Sequence, residues 1–434
     1  MFLISVRIVV FVFCVTLAAS SAQAAGLYLY EAGTPDLGLA AAGRAALAQD
    51  ASTVMGNPAG MTRLERSQIA GSLYTILPSS QFDRSSGTTL SGGNGFNAGV
   101  PVPSFSSAGI PIPAGSFFYV YSFSPDLKLG VGAVSAYGGS LNYGKEWAGR
   151  YGVQKLQLLS GTLNPGFAYR INEWLSVGAG FSVNYALLSQ TLAVNNLADR
   201  LPDGRMKFKA DDWGFGGNAG ILLEPNSRMR FGVAYRSQID MSFSDNIKFT
   251  NLGPGLRRAL ERVGVVGGET TLDQTNPQAV MASWYYALTE NSALMGNFGW
   301  QNWEQYSNVG IAVSSETTTR NIQVDQHFHD TWHQAIGAQT RFARQWVLSV
   351  GFAHDSAPVS KFHRTPTAPF DENFRYGVGL QYDVNERLTV GGAYEFLDLG
   401  DAEIANLQRP AGALDGDYSS NHVHFVALNV IWKF

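Results

Sequence analysis

Three histidines stand close together in "QVDQHFHDTWH": His327, His329 and His333. On one strand face they could ligate Zn²⁺, which takes His, Cys and carboxylate ligands in tetrahedral sets. The set is incomplete here. No Cys is near, and only Asp325 or Asp330 offers a further ligand. Without a metal, such histidines serve as titratable groups at a pocket mouth. His354-Asp355-Ser356 offers a base and a hydroxyl two residues apart, the start of a hydrolase constellation. By alternation from Trp346, His354 and Ser356 fall on the apolar side, yet no Asn stands out to orient the base. Gly214-x-Gly216 lacks the strand-to-helix context of a nucleotide loop. The sequence offers no catalytic set, no metal site and no cofactor site, so its chemistry is that of binding.

The elements that hold these residues are strands. In "MRFGVAYRSQIDMSF", Met229, Phe231, Val233, Tyr235, Ile239, Met241 and Phe243 share one face, and Arg230, Gly232, Ala234, Arg236, Gln238, Asp240 and Ser242 the other. "LSVGAGFSVNYALL" and "RYGVGLQYDV" alternate in the same way. The apolar face runs the length of about 9–11 residues that crosses a bilayer, and the small, polar face suits a crowded lumen. Short polar turns are expected at 124–126, 172–173, 225–227, 289–291, 344–345 and 385–387, with longer connections between them. Short turns on one side and long loops on the other mark an outer-membrane barrel. The fold class is therefore all-β, a transmembrane antiparallel β-barrel of about 14 strands. Its first strand is expected near Thr62. Its last, "HVHFVALNVIWKF", ends on Phe434. That aromatic ending resembles the signal read by the outer-membrane barrel assembly machinery.

Composition agrees. Charged residues are 15% of the chain, against roughly 25% in soluble proteins, and Gly numbers 48 of 434. The formal net charge of −4 gives no basic patch for nucleic acid. Residues 1–24, with Arg7, an apolar run from Ile8 to Ala19 and Ala22-Gln23-Ala24, read as a secretory signal peptide. The only cysteine, Cys14, lies within it. Residues 25–61 precede the barrel (62–434) and carry few charges among many Ala and Gly. A barrel this wide leaves a channel unless something fills it. This segment is expected to pack inside as an amino-terminal hatch, or plug.

"AGLYLYEAGTPDLGLAAAGRAALAQDASTVMGNPAG" resembles the hatch of the long-chain fatty-acid and hydrocarbon outer-membrane transporters (FadL/TodX type), with Asn57, Pro58 and Ala59 where that family has Asn-Pro-Ala. The likeness continues in "WGFGGNAGILLEP", "VAYRSQIDMSF" and "GFAHDSAPV", across essentially the whole mature chain. It implies a monomeric, plugged barrel set among outer-membrane lipids and lipopolysaccharide. Hydrophobic ligands would be caught at the loops, passed to an inner pocket and released sideways at a kinked third strand. Gly138 and Gly139 are the residues expected at that kink, or else they simply begin the loop. The resemblance also gives His354-Asp355-Ser356 a non-catalytic place.

Candidate ligand contacts are Leu27 in the hatch, Leu187, Leu192 and Phe215 in the barrel, Leu256 and Leu260 at helical spacing, and His327 and His329. The helix either borders a capture groove or folds its stripe onto the rim. The loop bearing Pro101, Pro103, Pro111 and Pro113 is either an apolar capture surface or a stiff connection. Fatty-acid members meet the carboxylate with basic residues, but "NYALLSQTLAVNNL" has no cation. This favours neutral ligands such as aromatic hydrocarbons, with Arg205, Lys207 and Lys209 nearby should a carboxylate bind. An adhesive barrel and an outer-membrane lipid hydrolase are the alternative functions.

Overall fold

The computed structural model describes residues 30, 32–89, 105–106, 111–135, 138–196, 199, 201–262, 264–314, 319–409 and 412–434. The signal-peptide expectation, Leu27 and most of the Pro-rich loop lie outside them. Fourteen antiparallel strands form the wall. They are β1 Gln68–Ser79, β2 Ile112–Ser122, β3 Leu127–Val134 resuming as Gly138–Asn142, β4 Lys155–Asn172 and β5 Leu175–Val194. Next come β6 Gly204–Asn226, β7 Met229–Arg236, β8 Ala279–Ala287, β9 Ser292–Gln301 and β10 Thr331–Ala343. The last four are β11 Trp346–Asp355, β12 Asn373–Asp383, β13 Leu388–Asp398 and β14 His422–Lys433. Each pairs with its neighbour in sequence, and β14 closes the ring on β1 from Lys433↔Gln68 to His422↔Ser79. Closure pairs the first strand with the last, so the ring has no free terminal strand.

All six expected short turns fall between paired strands at one end. Asn172, Asn226 and Asn385 each accept backbone N–H bonds there through their side chains, the Asx chemistry that makes tight turns. The long connections lie at the other end, the extracellular one for this architecture. They fold into two further sheets. One joins Ile239–Asn246, Glu269–Asn276, Asn308–Ser314 and Thr319–Asp325; the other joins Ile404–Arg409, Gly412–Tyr418, Gln81–Arg84 and Phe105–Ser106. A helix, Pro254–Arg262, buries Leu260 against this layer.

Strand alternation sorts the side chains. Phe181, Trp213, Phe298, Ile336, Tyr376 and Leu428 stand exposed on the outer face, where the bilayer would cover them. The inner face carries Ser72, Ser116, Asn164, Ser176, Asn184, Asn218 and Asn297, all buried. Asn184 meets Met241 of the loops, and Ser72, Ser116, Ser176, Asn218 and Asn297 bond the amino-terminal segment. It runs through a 3₁₀ turn at Pro35–Leu39, a short helix at Thr53–Gly56 and a second 3₁₀ turn at Pro58–Arg63. The first strand starts at Gln68 rather than near Thr62, because Asn57 caps this last turn through Ala59 N–H and Pro58 sets its first residue.

Candidate functional site

Strand pairing around the wall is interrupted at β3, and β6 also lacks a ladder partner on its β7 side between Phe208 and Gly216 among the described residues. Lys128–Ala133 pairs with Phe117–Ser122 of β2, and Leu127–Val134 with Thr162–Tyr169 of β4. Strand pairing ends at Val134, Ser135 lies outside it, and among the described residues Gly138–Asn142 pairs with β4 alone, opposite Leu159–Lys155. The facing part of β2, Ile112–Ser116, pairs only with β1 among the described residues. Two strand edges therefore face each other unbonded on the extracellular half of the wall. The break precedes Gly138 and Gly139, which were expected to form it. They carry paired backbone instead, and a Cβ on Gly138 would clear Leu158 O by 3.4 Å.

A cavity of about 60 Å³ opens beside this break. Its walls come from Ile76 and Pro78 of β1, Ile112 of β2, Gly138–Leu141 of β3, Phe370 and Leu399 of the loops, and Val423 and Phe425 of β14. The polar residues around it are largely engaged with one another. Asn421 Nδ2 donates to Pro369 O at 2.6 Å and Gly400 O at 3.1 Å, and Asn421 Oδ1 accepts from Ser80 Oγ at 3.2 Å. Most of the remaining lining is hydrocarbon, with Ser79, Ser140, Thr367 and His422 as its other polar residues. Nearby, Tyr143 Oη donates to Pro366 O at 2.8 Å and lies 3.0 Å from Tyr418 Oη, closing the loops together. Burial raises both phenols well above their ordinary range, so they stay neutral at any physiological pH.

Below the cavity the amino-terminal segment is seated against wall glycines. A Cβ on Gly232 would lie 1.8 Å from Ala45 O, on Gly220 1.9 Å from Asn57 Oδ1, and on Gly351 2.0 Å from the Leu39 carbonyl carbon. Only glycine admits backbone this close. Polar wall residues complete the seat. Gly43 N–H donates to Asn297 Oδ1 at 2.8 Å, Ala45 N–H to Ser283 Oγ at 3.0 Å, and Arg230 to the carbonyls of Ala46 and Leu47 at 3.0 and 3.2 Å. Asn57 is fully buried, and its Nδ2 donates to Ala45 O at 2.7 Å and to Ile221 O of β6 at 3.0 Å. The Asn57-Pro58-Ala59 triplet thus ends a turn and pins it to the wall.

A closed barrel, a broken third strand and an interior segment resting on inward glycines now stand together. The chain matches the Outer membrane protein transport protein (OMPP1/FadL/TodX) family over residues 15–434. It belongs to that family. It is 28% identical to the long-chain fatty acid transport protein of Escherichia coli over 409 residues, covering 88% of this chain and 89% of that one. Among solved structures it is similar to a Pseudomonas aeruginosa FadL homologue, with a TM-score of 0.82 at 19% identity, covering 92% and 98% of the two chains. The Ralstonia pickettii toluene transporter TbuX follows at 0.67 and 17%, covering 94% and 100%. As a member of this family the chain is an outer-membrane transport protein and not an enzyme.

In this OMPP1/FadL/TodX member the expected ligand residues divide. Leu192 points inward, buried in a cluster with Leu188, Met206 and Phe208. Leu260 is buried and Leu256 half-buried against the same cluster, so the helix folds its stripe onto the rim. Leu187 and Phe215 are candidate ligand contacts by sequence, but both stand on the outer face, Phe215 at 59% exposure. Strand period explains it: the inward residue is Leu188. The histidines do not share a strand face. Thr319–Asp325 ends before them, His327 has φ +57°, and β10 starts only at Thr331. His327 and His329 are exposed among the loops, whereas His333 is buried in the wall. Among the described residues no cluster could hold a metal. Of the described site residues proposed from sequence, only Gly138 and Gly139 line the cavity at the break.

One interior feature escaped the sequence. His333 Nδ1 lies 2.9 Å from Asp355 Oδ1, Arg375 bonds Asp355, and Arg375 Nε lies 3.7 Å from Glu395. These four side chains come from β10, β11, β12 and β13. Tyr30 of the amino-terminal segment stacks on His333 at 4.5 Å and lies under the Arg375 guanidinium at 5.2 Å. Cations do exist inside the barrel, but this one is already paired with carboxylates, as a buried charge must be.

Proposed function

We propose that this protein carries hydrophobic small molecules, long-chain fatty acids or aromatic hydrocarbons, inward across the outer membrane and releases them sideways at the break in β3. The observation that carries the reading is the apolar cavity bounded by two unbonded strand edges, Ile112–Ser116 and Gly138–Asn142. Each CH₂ kept from water is worth roughly 0.8 kcal/mol, so a ligand moving from this cavity into the bilayer stays in hydrocarbon throughout. Residues 25–61 act as the plug that denies it the aqueous route. The relatives named for long-chain fatty acid and toluene transport support the ligand class. Among the described residues lining the cavity there is no Lys or Arg to meet a carboxylate, so neutral hydrocarbons are expected to travel at least as well.

Reversible closure of the break tests this. With Cys14 in the signal region, Ile112→Cys with Leu141→Cys places two thiols on the cavity wall. Joining them with a short bis-methanethiosulfonate should lower uptake of a hydrophobic substrate by about tenfold or more, a barrier increase of ~1.4 kcal/mol. Reduction should restore uptake. Equal uptake before and after joining would show that ligand leaves elsewhere.

A further inference from the structure

On the outer face, five cations gather where transport gives them no task. Lys155 belongs to β4, Arg205, Lys207 and Lys209 to β6, and Lys248 to the short strand Lys248–Thr250 beside β6; all are exposed. Register aligns them. Lys155 faces Thr191, Thr191 faces Lys207, and Lys207 faces Lys248. With strands about 4.8 Å apart, three ammonium groups share a row about 15 Å long, flanked by Arg205 and Lys209. Like charges directly opposite destabilise a sheet. Yet among the described residues none of the five makes an ion pair. The nearest carboxylate in the β6 column, Asp211, is engaged with Tyr185.

The position of the row identifies its partner. Directly below it the same strands turn apolar and aromatic. Trp213 lies 4.9 Å from Tyr185, Phe215 lies 6.1 Å from Phe181, and Trp213 and Phe215 are more than half exposed. This is an interfacial aromatic girdle, and the row sits on its extracellular side. Cations at that height meet the headgroups of the outer leaflet. We propose that Lys155, Arg205, Lys207, Lys209 and Lys248 form a binding site for the phosphate groups of an anionic glycolipid of the outer leaflet. The acyl chains lie on the apolar face beneath, and the phosphates bridge ammonium groups that would otherwise repel. Lys155 also stands opposite Asn142, the end of the resumed part of β3, so the bound lipid would border the wall break.

The test uses the full-length mature protein in uncharged detergent, with native mass spectrometry and diphosphorylated lipid A as the probe. The parent should retain this lipid at least about tenfold more tightly than a variant carrying Lys155→Gln, Arg205→Gln, Lys207→Gln, Lys209→Gln and Lys248→Gln. Dephosphorylated lipid A should bind both proteins equally weakly. Replacing the four lysines by arginine should preserve retention, and added salt should weaken it. Should the five-site variant fail the heat-modifiability test of folding, Lys207→Gln with Lys248→Gln should still lose severalfold. Equal retention of diphosphorylated lipid by parent and folded variants would overturn the site. Inorganic phosphate that binds as tightly as the lipid and displaces it would overturn it too, showing a site for soluble anions.

Discussion

Two of the cavities, one at each end of the barrel, are opposite in character. The one at the break in β3 is small, about 60 Å³, and walled by Ile76, Ile112, Phe370, Val423 and Phe425. The one at the short-turn end is about 620 Å³ and lined by Ser227, Arg228, Glu290, Asn291, Gln339 and Arg341. Between them lie residues 43–47, bonded to Asn297, Ser283 and Arg230. A ligand travelling straight down would have to break those bonds and then enter a polar, water-accessible vestibule. A ligand moving sideways crosses no intact strand pairing. On the proposed sideways route, wall chemistry and bonding rather than volume would set the path of a hydrophobic ligand.

The largest expected effect breaks the partition outright. Deleting residues 26–58 should leave a folded, heat-modifiable barrel whose conductance in planar bilayers rises from a closed baseline to that of an open pore, on the order of tenfold or more. A deleted protein as closed as the parent would mean that these residues do not separate the two ends. A smaller disturbance comes from the seat. Gly232→Val or Gly351→Val drives a side chain into backbone at 1.8 or 2.0 Å. Each should cost about 1–3 kcal/mol of stability and produce intermittent leak. Gly161→Val, with nothing within 4 Å of its Cβ, should do neither. Equal thermal stability and conductance in all three would show that the glycines are not a seat.

Charge sharpens the contrast in ligand preference. Ser140 is buried and lines the apolar cavity. Ser140→Arg should shift uptake towards long-chain carboxylates over neutral hydrocarbons by about tenfold, ~1.4 kcal/mol. An unchanged ratio in competition assays would remove the cavity from the ligand path.

The smallest effect concerns the loops near the upper cavity. Desolvation, with His327 and His329 close by, holds the His363 imidazole below its ordinary value; its ring lies 4.0 Å from that of His327. The fold favours the neutral form. That contribution is complete above about pH 6.5 and is lost as pH falls through this value towards the lower folded one. Asp325 is held down by Ser307 Oγ at 2.5 Å and by His327 N–H, so its share is lost only in stronger acid. Hydrogen exchange in residues 359–370 should therefore quicken modestly beyond the intrinsic pH effect between pH 7.5 and 5.5, with the vestibule turns unchanged. Exchange that slows would reverse the assigned direction.

The two ends were not equally legible in the sequence. All six short turns, the outward aromatics and the aromatic final strand followed from a period of two and from short polar turns, five of the six bearing Asn or Pro, which are local rules. The same rule, kept strictly, places Leu188 inward rather than Leu187. It failed at His327 because the chain leaves strand geometry after Asp325, where extrapolating a face has no meaning. The break in β3 was placed slightly late, at the glycines, because glycine is the visible mark and pairing is not. The row of His333, Asp355, Arg375 and Glu395 could not be read at all. Its members lie on four strands, and only their register brings them together. Wall glycines were visible, but the backbone each one admits was not.

Sideways release is tested most directly by labelling the path itself. A diazirine-bearing alkane would be presented to cells expressing the parent protein, and the labelled residues located by peptide mass spectrometry after brief illumination. Label should concentrate in residues 76–80, 138–141 and 423–425, around the break. Label concentrated instead in residues 227–228, 289–293 and 339–341, at the polar vestibule, would contradict lateral release and show passage through the plug.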